Sequence, residues 1–526
     1  MTEQTLLAID NGTQSVRALL FDKSGNLLAK GKREIEPYFS EHPGWAEQQP
    51  KVYWDAMVDA CAQLWDDMDQ QGLARASIAG VSVTTQRGTM VNVDQSGEPL
   101  RPAITWLDQR NSEPLGHLPK AYELLFRAAG ARDLVERYQQ RAQYLWIASR
   151  QPDVWERTYK YLNISGFLNF RLCGEYVDSV ASQVAYLPFD YKALKWAPER
   201  DWRYKLLPGF STKMFPKLYR PATKMGEITE EASRLTGIPS GLPLMASASD
   251  KSCEILGSGG HTNDVACMSY GTTATINTTS KRYVEPMRFM PAYPSAIPDH
   301  YCSEIMIFRG FWMVSWFKQE FGLREQRIAE AENVSPESLF DELVNTVPPG
   351  SMGLMLQPYW TPGVRDPGPE AKGGIIGFGD VHTRAHVYRA ILEGLAYGLR
   401  DGLERLQQRN KQQVHLLRVS GGGSQSDAAL QLTADIFGLP VERPHTYETS
   451  GLGAAMDTAV ALGWYPDCEA AIKSMTRVGK RFEPDQQVHK VYDRLYKEVY
   501  LLRVSGGGSQ SDAALQLTAD IFGLPV

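Results

Sequence analysis

Two stretches of this chain carry one pattern, an apolar strand, a Gly-Thr turn and a second strand. In the first, Leu6-Leu7-Ala8-Ile9 runs into Asp10-Asn11-Gly12-Thr13-Gln14-Ser15 and then Val16-Arg17-Ala18-Leu19-Leu20-Phe21. In the second, Val265-Ala266-Cys267-Met268 runs into Ser269-Tyr270-Gly271-Thr272-Thr273 and then Ala274-Thr275-Ile276-Asn277. Glycine in such a turn lets backbone N–H groups approach phosphate oxygens, and Thr or Ser hydroxyls add donors without bulk. Asp10, at the end of the first strand, is placed to hold a nucleotide-bound Mg²⁺ directly or through water. A third cluster, Val419-Ser420-Gly421-Gly422-Gly423-Ser424-Gln425-Ser426, follows an apolar strand and precedes a helix, and its bare backbone offers a surface for an adenine. No Walker lysine follows in P-loop spacing and no G-x-G-x-x-G occurs with its downstream acid, so neither of those nucleotide motifs is present. The three turns and the strand-end acid suggest a nucleotide bound between two domains.

Transfer of a phosphoryl group to an alcohol needs a carboxylate beside the acceptor hydroxyl. Asp250 in Met245-Ala246-Ser247-Ala248-Ser249-Asp250-Lys251 follows an apolar strand at the expected domain boundary and suits a general base. Gln86-Arg87 ends the apolar strand Val81-Ser82-Val83-Thr84-Thr85 and offers fixed donors for sugar hydroxyls. Trp106, Asp108 and Arg110 supply an aromatic wall and polar contacts, with a core role for Trp106 nearly as well supported.

These residues need two scaffolds of similar plan. The Gly-Thr turns lie about half the chain apart, and Gly257-Ser258-Gly259-Gly260 frees the backbone between them. The expected division is 1–256, bearing the first phosphate hairpin and the sugar site, and 257–500, bearing the nucleotide site. Pro50 opens a helix with Met57, Cys61, Leu64, Trp65 and Met68 on one face. Val387, Ile391, Leu395, Leu399 and Leu403 mark another, with Gly394, Gly398 and Gly402 as a second stripe that suggests close helix packing. Strands mixed with helices in both halves give an α/β class. Residues 416–441 recur without change at 501–526, which reads as a duplicated tail, not a second site, with no domain to dock into.

Length and composition agree with this scheme. At 526 residues the chain exceeds one ordinary core, and 43% hydrophobic with 22% charged residues is a soluble globular composition. A net charge of −6 gives no drive toward nucleic acid. No stretch is long and apolar enough for a membrane helix, so a cytoplasmic protein without a membrane partner is expected. The six cysteines are scattered, consistent with buried reduced thiols.

With those residues identified, the chain resembles the FGGY family of carbohydrate kinases, within the actin-like ATPase superfamily of two ribonuclease-H-like domains around an interdomain nucleotide cleft. The resemblance covers about residues 5–500. It rests on Ile9-Asp10-x-Gly12-Thr13-x-Ser15-x-Arg17, Pro43-Gly44-Trp45-Ala46-Glu47-Gln48, Thr105-Trp106-x-Asp108-x-Arg110, Arg171-Leu172-Cys173-Gly174-Glu175 with Asp178, and the Asp250 loop. Tyr270-Gly271-Thr272-Thr273, Pro358-Tyr359 through Arg365, Gly373-Gly374-Ile375-Ile376-Gly377 with His386 and Glu393, and Gly421-Gly422-Gly423 complete it. The resemblance implies ATP and Mg²⁺ as cofactors and a small sugar or polyol as substrate. It makes Asp250 the base and Asp10 the magnesium-side acid. Thr13 and Arg17 become phosphate contacts, with Gln14 in the same turn, and Gly271 and Thr272 reach the γ-phosphate. Gly310 faces the nucleotide, Gly422 and Ser426 lie beside adenosine, and Tyr138 joins Gln86, Arg87 and Asp108 around the sugar. The pattern also departs from relatives: glycerol kinases read Gln-Arg-Glu where this chain has Gln86-Arg87-Gly88, many xylulose kinases read Gln-Met-His, and a usual lysine is Gln143. Which sugar is used, and whether the chain forms a homo-oligomer, stay open. The rival class is a non-catalytic sugar- or nucleotide-sensing protein, or an ATPase switch.

Overall fold

The structure, a computed structural model, describes residues 4–113, 118–184, 186–334, 336–361 and 372–497. The tail copy at 501–526 and the part of the Pro358–Arg365 motif from 362 onward lie outside the described residues. Two compact units emerge. Unit 1 takes the chain as far as His261, then Thr279–Ser303 and Glu448–Arg477; unit 2 takes Thr262–Thr278, Glu304–Tyr447 and the chain from Val478.

In unit 1, β1 (Thr5–Asn11) and β2 (Ser15–Phe21) form the expected hairpin and β3 (Leu27–Glu34) extends it. Both faces of β1 are apolar because both are covered. Leu7 and Ile9 join a core with Tyr53, Met57, Cys61 and Leu64 of α1 (Pro50–Gln70), while Leu6 and Ala8 join a second core on the opposite face. β4 (Ile78–Thr85), β5 (Thr223–Glu227) and β6 (Pro243–Ala246) complete a sheet of order β3-β2-β1-β4-β6-β5. The β1–β4 and β4–β6 pairings are parallel, the rest antiparallel. α2 (Asp250–Gly257) follows β6 after a three-residue connection.

Unit 2 repeats the first four places of this order, and its last two strands follow in chain order. β7 (Val265–Tyr270) and β8 (Ala274–Ser280) form its hairpin, followed by β9 (Tyr301–Ile307) and, after α3 (Arg384–Asn410), by β10 (Leu416–Ser420). α4 (Asp427–Phe437), β11 (Val441–Pro444) and β12 (Val478–Phe482) complete the set. The order is β9-β8-β7-β10-β11-β12, with β7–β10 and β10–β11 parallel. The glycine stripe of α3 packs on strands, not on a helix: a Cβ at Gly394 would lie 2.4 Å from the Leu356 carbonyl oxygen, and one at Gly402 would lie 2.7 Å from Ile305.

The expected second half, 257–500, is not continuous. α5 (Thr449–Ala461) returns to unit 1, where Leu452, Ala454, Ala455 and Met456 pack with Leu6, Ala8, Leu19 and Phe21. A helix of small residues fits there because it crosses α2 at backbone contact. A Cβ on Gly257 would stand 2.0 Å from the Thr449 carbonyl oxygen and one on Gly453 2.0 Å from that of Cys253. The Gly257→Ala variant should therefore lose about 3 kcal/mol in urea unfolding, the upper end for an overpacked core. An unchanged midpoint would show that the two helices can part freely. Among the described residues no helix is long and apolar enough to cross a membrane.

Candidate active site

Asp10 and Arg17 are cross-strand partners in the first hairpin. Strand alternation turns them to the face that α5 covers. The Gly12 N–H donates to the Ser15 carbonyl across the turn (3.0 Å), and the exposed Gln14 accepts from the Ile35 N–H at its backbone carbonyl (3.0 Å). Arg17 Nη1 lies 3.4 Å from Asp10 Oδ2 and 2.7 Å from Glu448 Oε2, while Lys30 pairs with the other Glu448 oxygen. Asp10 is 3% exposed. Burial pushes its carboxyl up to about 6, against the pull of Arg17 and with a further push from Asp250, Glu448 and Glu254.

Asp250 is the first residue of α2, and its Oδ1 accepts from the Lys251 N–H (2.7 Å). Its carboxyl is raised from the ordinary aspartate value by burial, opposed by Lys251 and Arg87. The Arg87 guanidinium lies over the Tyr293 ring at 5.2 Å. Asp10, Arg17, Arg87 and Asp250 thus form one electrostatic neighbourhood inside unit 1.

A hydrogen-bond chain joins the Gly12–Thr13 turn to Trp106 and Gln86. The Trp106 indole N–H donates to Thr13 Oγ1 (3.0 Å), and the Thr13 hydroxyl donates to Gln86 Oε1 (3.1 Å). Gln86 is buried, its own N–H donates to the Asn11 carbonyl (2.9 Å), and its Nε2 has no hydrogen-bond partner. Gln143 Nε2 donates to the carbonyls of Gly88 (3.2 Å) and Thr105 (3.1 Å), tying the two loops together where a lysine was expected from relatives. Asp108 is held by protein partners. Its carboxylate accepts from the Ala46 N–H (2.7 Å) and from Arg110 Nη2 (2.7 Å). Arg110 is also 2.8 Å from Glu47, and its guanidinium lies against both the Trp45 ring (4.0 Å) and the Trp146 ring (4.5 Å). Asp108 and Arg110 tie together the loop carrying Trp106. Tyr138 packs edge-on against Tyr186, with centroids 4.8 Å apart.

Unit 2 gathers the remaining glycine turns. Tyr270 stacks on Phe311 (4.2 Å between centroids), and the Phe311 N–H donates to the Gly271 carbonyl (3.0 Å). Thr272 is exposed at the tip of its turn. Gly310 approaches the start of β8 so closely that a Cβ would lie 2.2 Å from the Ala274 nitrogen. Past β10, a Cβ on Gly423 would strike the Phe311 ring, whereas one on Gly422 would meet nothing within 4 Å. Gly422 therefore presents bare backbone. Ser426 caps α4, accepting from the Ala429 N–H and donating to Asp341 Oδ1 (2.5 Å).

Sequence reasoning missed Glu448 and Lys30. An acid just before the small-residue run Thr449-Ser450-Gly451-Leu452-Gly453 marks a helix start, but nothing local names Arg17 as its partner. Among the described residues no group of three or more His, Cys, Asp or Glu side chains forms a metal site.

Two Gly-Thr hairpins open two α/β units, and the first stands beside a buried acid and an aspartate that begins α2. The chain belongs to the FGGY family of carbohydrate kinases: residues 5–257 match the family's N-terminal domain and 266–462 its C-terminal domain. It is 30% identical over 503 residues to the uncharacterized sugar kinase YgcE of Escherichia coli (strain K12), covering 95% of this chain and 93% of that protein. Ligand-bound xylulose kinase from Lactobacillus acidophilus superposes with a TM-score of 0.78 at 22% identity, covering 97% of this chain and 100% of the other. Plasmodium falciparum glycerol kinase with ADP gives 0.77 at 19% identity, covering 96% and 99%.

Proposed function

We propose that this chain phosphorylates a primary hydroxyl of a small sugar or polyol with ATP, and that Asp250 is the general base. The observation that carries this reading is the setting of Asp250, a carboxyl raised by burial at the start of α2, within the influence of Arg87 and of the Asp10–Arg17 pair. A raised carboxylate is the stronger base, and a cationic neighbour keeps enough of it ionised to act. Asp250 takes the acceptor's hydroxyl proton as that oxygen bonds to the γ-phosphorus, and the bond from phosphorus to the β,γ-bridging oxygen breaks to release ADP. Within unit 1, Thr13, Gln14 and Arg17 are the phosphate contacts; within unit 2, Gly271 and Thr272 offer a phosphate turn of the same kind. Gly310, Gly422 and Ser426 lie along the nucleoside, on the ribonuclease-H-like plan of the actin-like ATPases. Gln86, Arg87 and Tyr138 bind the acceptor, and Asp108 holds the loop that bears Trp106.

Asp10 suits a nucleotide-bound Mg²⁺: it is buried, and burial disfavours its ionised form more than Arg17 restores it. Such an ion would neutralise phosphate charge when bound. Gly88 leaves the acceptor loop without the acid or imidazole found there in glycerol and many xylulose kinases, so Gln86 and Arg87 carry the polar recognition. A coupled ADP-release screen over three- to six-carbon polyols and ketoses tests the proposal. One acceptor should stimulate ADP release by about 10²-fold or more, the scale of positioned acid–base catalysis. ATP turnover independent of every acceptor would instead support an ATPase switch.

A further inference from the structure

Glu448 is absent from every motif that suggested chemistry, yet it reaches the phosphate turn from the N-terminal end of α5, 11% exposed at its side chain. Arg17 Nη1 donates to Glu448 Oε2 at 2.7 Å and stands farther, 3.4 Å, from Asp10 Oδ2. The other end of the guanidinium faces the turn, since a Cβ placed on Gly12 would lie 3.8 Å from Arg17 Nη2. Arg17 Nε is buried with no hydrogen-bond partner. Nη1 is anchored, and Nη2 is the nitrogen left toward the turn.

We infer that Glu448 is a positioning residue for phosphoryl transfer, holding Arg17 by Nη1 so that its remaining donors meet a phosphate at the Gly12–Thr13 turn. This inference rests on the proposed reading of that turn as a phosphate site. Without Glu448 the nearest anion is Asp10, and a guanidinium closes on a lone carboxylate through two parallel hydrogen bonds. That closure turns the donors away from the turn and occupies the carboxylate that would face the metal side. Lys30 pairs with the second Glu448 oxygen, so two cations balance Asp10 and Glu448 and the turn is not left net negative before a phosphate arrives.

A double-mutant cycle with Glu448→Ala and Arg17→Ala tests it, read as kcat/KM for ATP and as ADP affinity by calorimetry, which needs no turnover. Glu448→Ala alone should lower kcat/KM for ATP about tenfold or more and weaken ADP binding, with the acceptor KM within twofold of wild type. On the Arg17→Ala background the same change should have less than a twofold effect. Glu448→Gln, which keeps the shape and one acceptor oxygen, should fall between wild type and Glu448→Ala and guards against a folding defect in the alanine variant. An equal loss in both backgrounds overturns the inference, because Glu448 would then act independently of Arg17. A wild-type-like Glu448→Ala beside an impaired Arg17→Ala overturns it while leaving the phosphate reading in place. A wild-type-like Arg17→Ala overturns the phosphate reading and this inference with it.

Discussion

Asp250→Asn should lower kcat about 10²–10⁴-fold, the range for loss of a positioned base, while ADP affinity stays within about twofold. Asparagine keeps the size and can still accept from the Lys251 N–H, so the start of α2 should hold its geometry. What it cannot do is take a proton. In the wild-type enzyme burial raises the Asp250 carboxyl above its ordinary value, so activity should fall as pH drops through that raised value and recover above it. An Asp250→Asn enzyme with more than a tenth of wild-type kcat would remove Asp250 from the mechanism.

Asp457→Asn should stabilise the protein, increasingly so as pH rises. Asp457 lies on α5 at 0% exposure, neither carboxyl oxygen has a hydrogen-bond partner, and burial alone holds its carboxyl well above the ordinary value. The thiols of Cys253 and Cys468 are also raised, chiefly by burial. An acid that stays protonated in the fold but ionises when unfolded binds more protons in the native state. The contribution to stability is then fully present below the unfolded value near 4 and declines by about 1.4 kcal/mol per pH unit up to the folded value. Asparagine has nothing to ionise. Urea unfolding of both proteins at pH 5, 6, 7 and 8 should show the gap widening as pH rises from 5, since groups common to both cancel. Parallel pH profiles would mean that Asp457 is ionised in the fold.

The sequence displayed the parts of this fold that depend on local patterning. Gly-Thr between two apolar runs forecast both hairpins, because each strand is covered on both faces and reads as continuous apolar sequence. Pro50 and the spacing of Met57, Cys61 and Leu64 forecast α1. The family followed from motifs in chain order, and the domain matches bear it out. What depended on distant pairing was hidden. Nothing near Glu448 points to Arg17 across 431 residues, and nothing near Asp108 shows that Ala46 and Arg110 take up its carboxylate. The return of α5 to the first unit was hidden for the same reason. A run of small residues marks a close crossing but not the helix it crosses, and Gly257 and Gly453 find each other only in three dimensions.

The central claim is phosphoryl transfer to an alcohol with Asp250 as base, and product stoichiometry tests it most directly. Mass spectrometry of the best acceptor after incubation with Mg-ATP, alongside measured ADP, should give one phosphorylated acceptor per ADP with wild-type protein. With Asp250→Asn it should give almost none of either, while ADP still binds. ADP formed without phosphorylated acceptor, or equal product from the variant, would contradict the account.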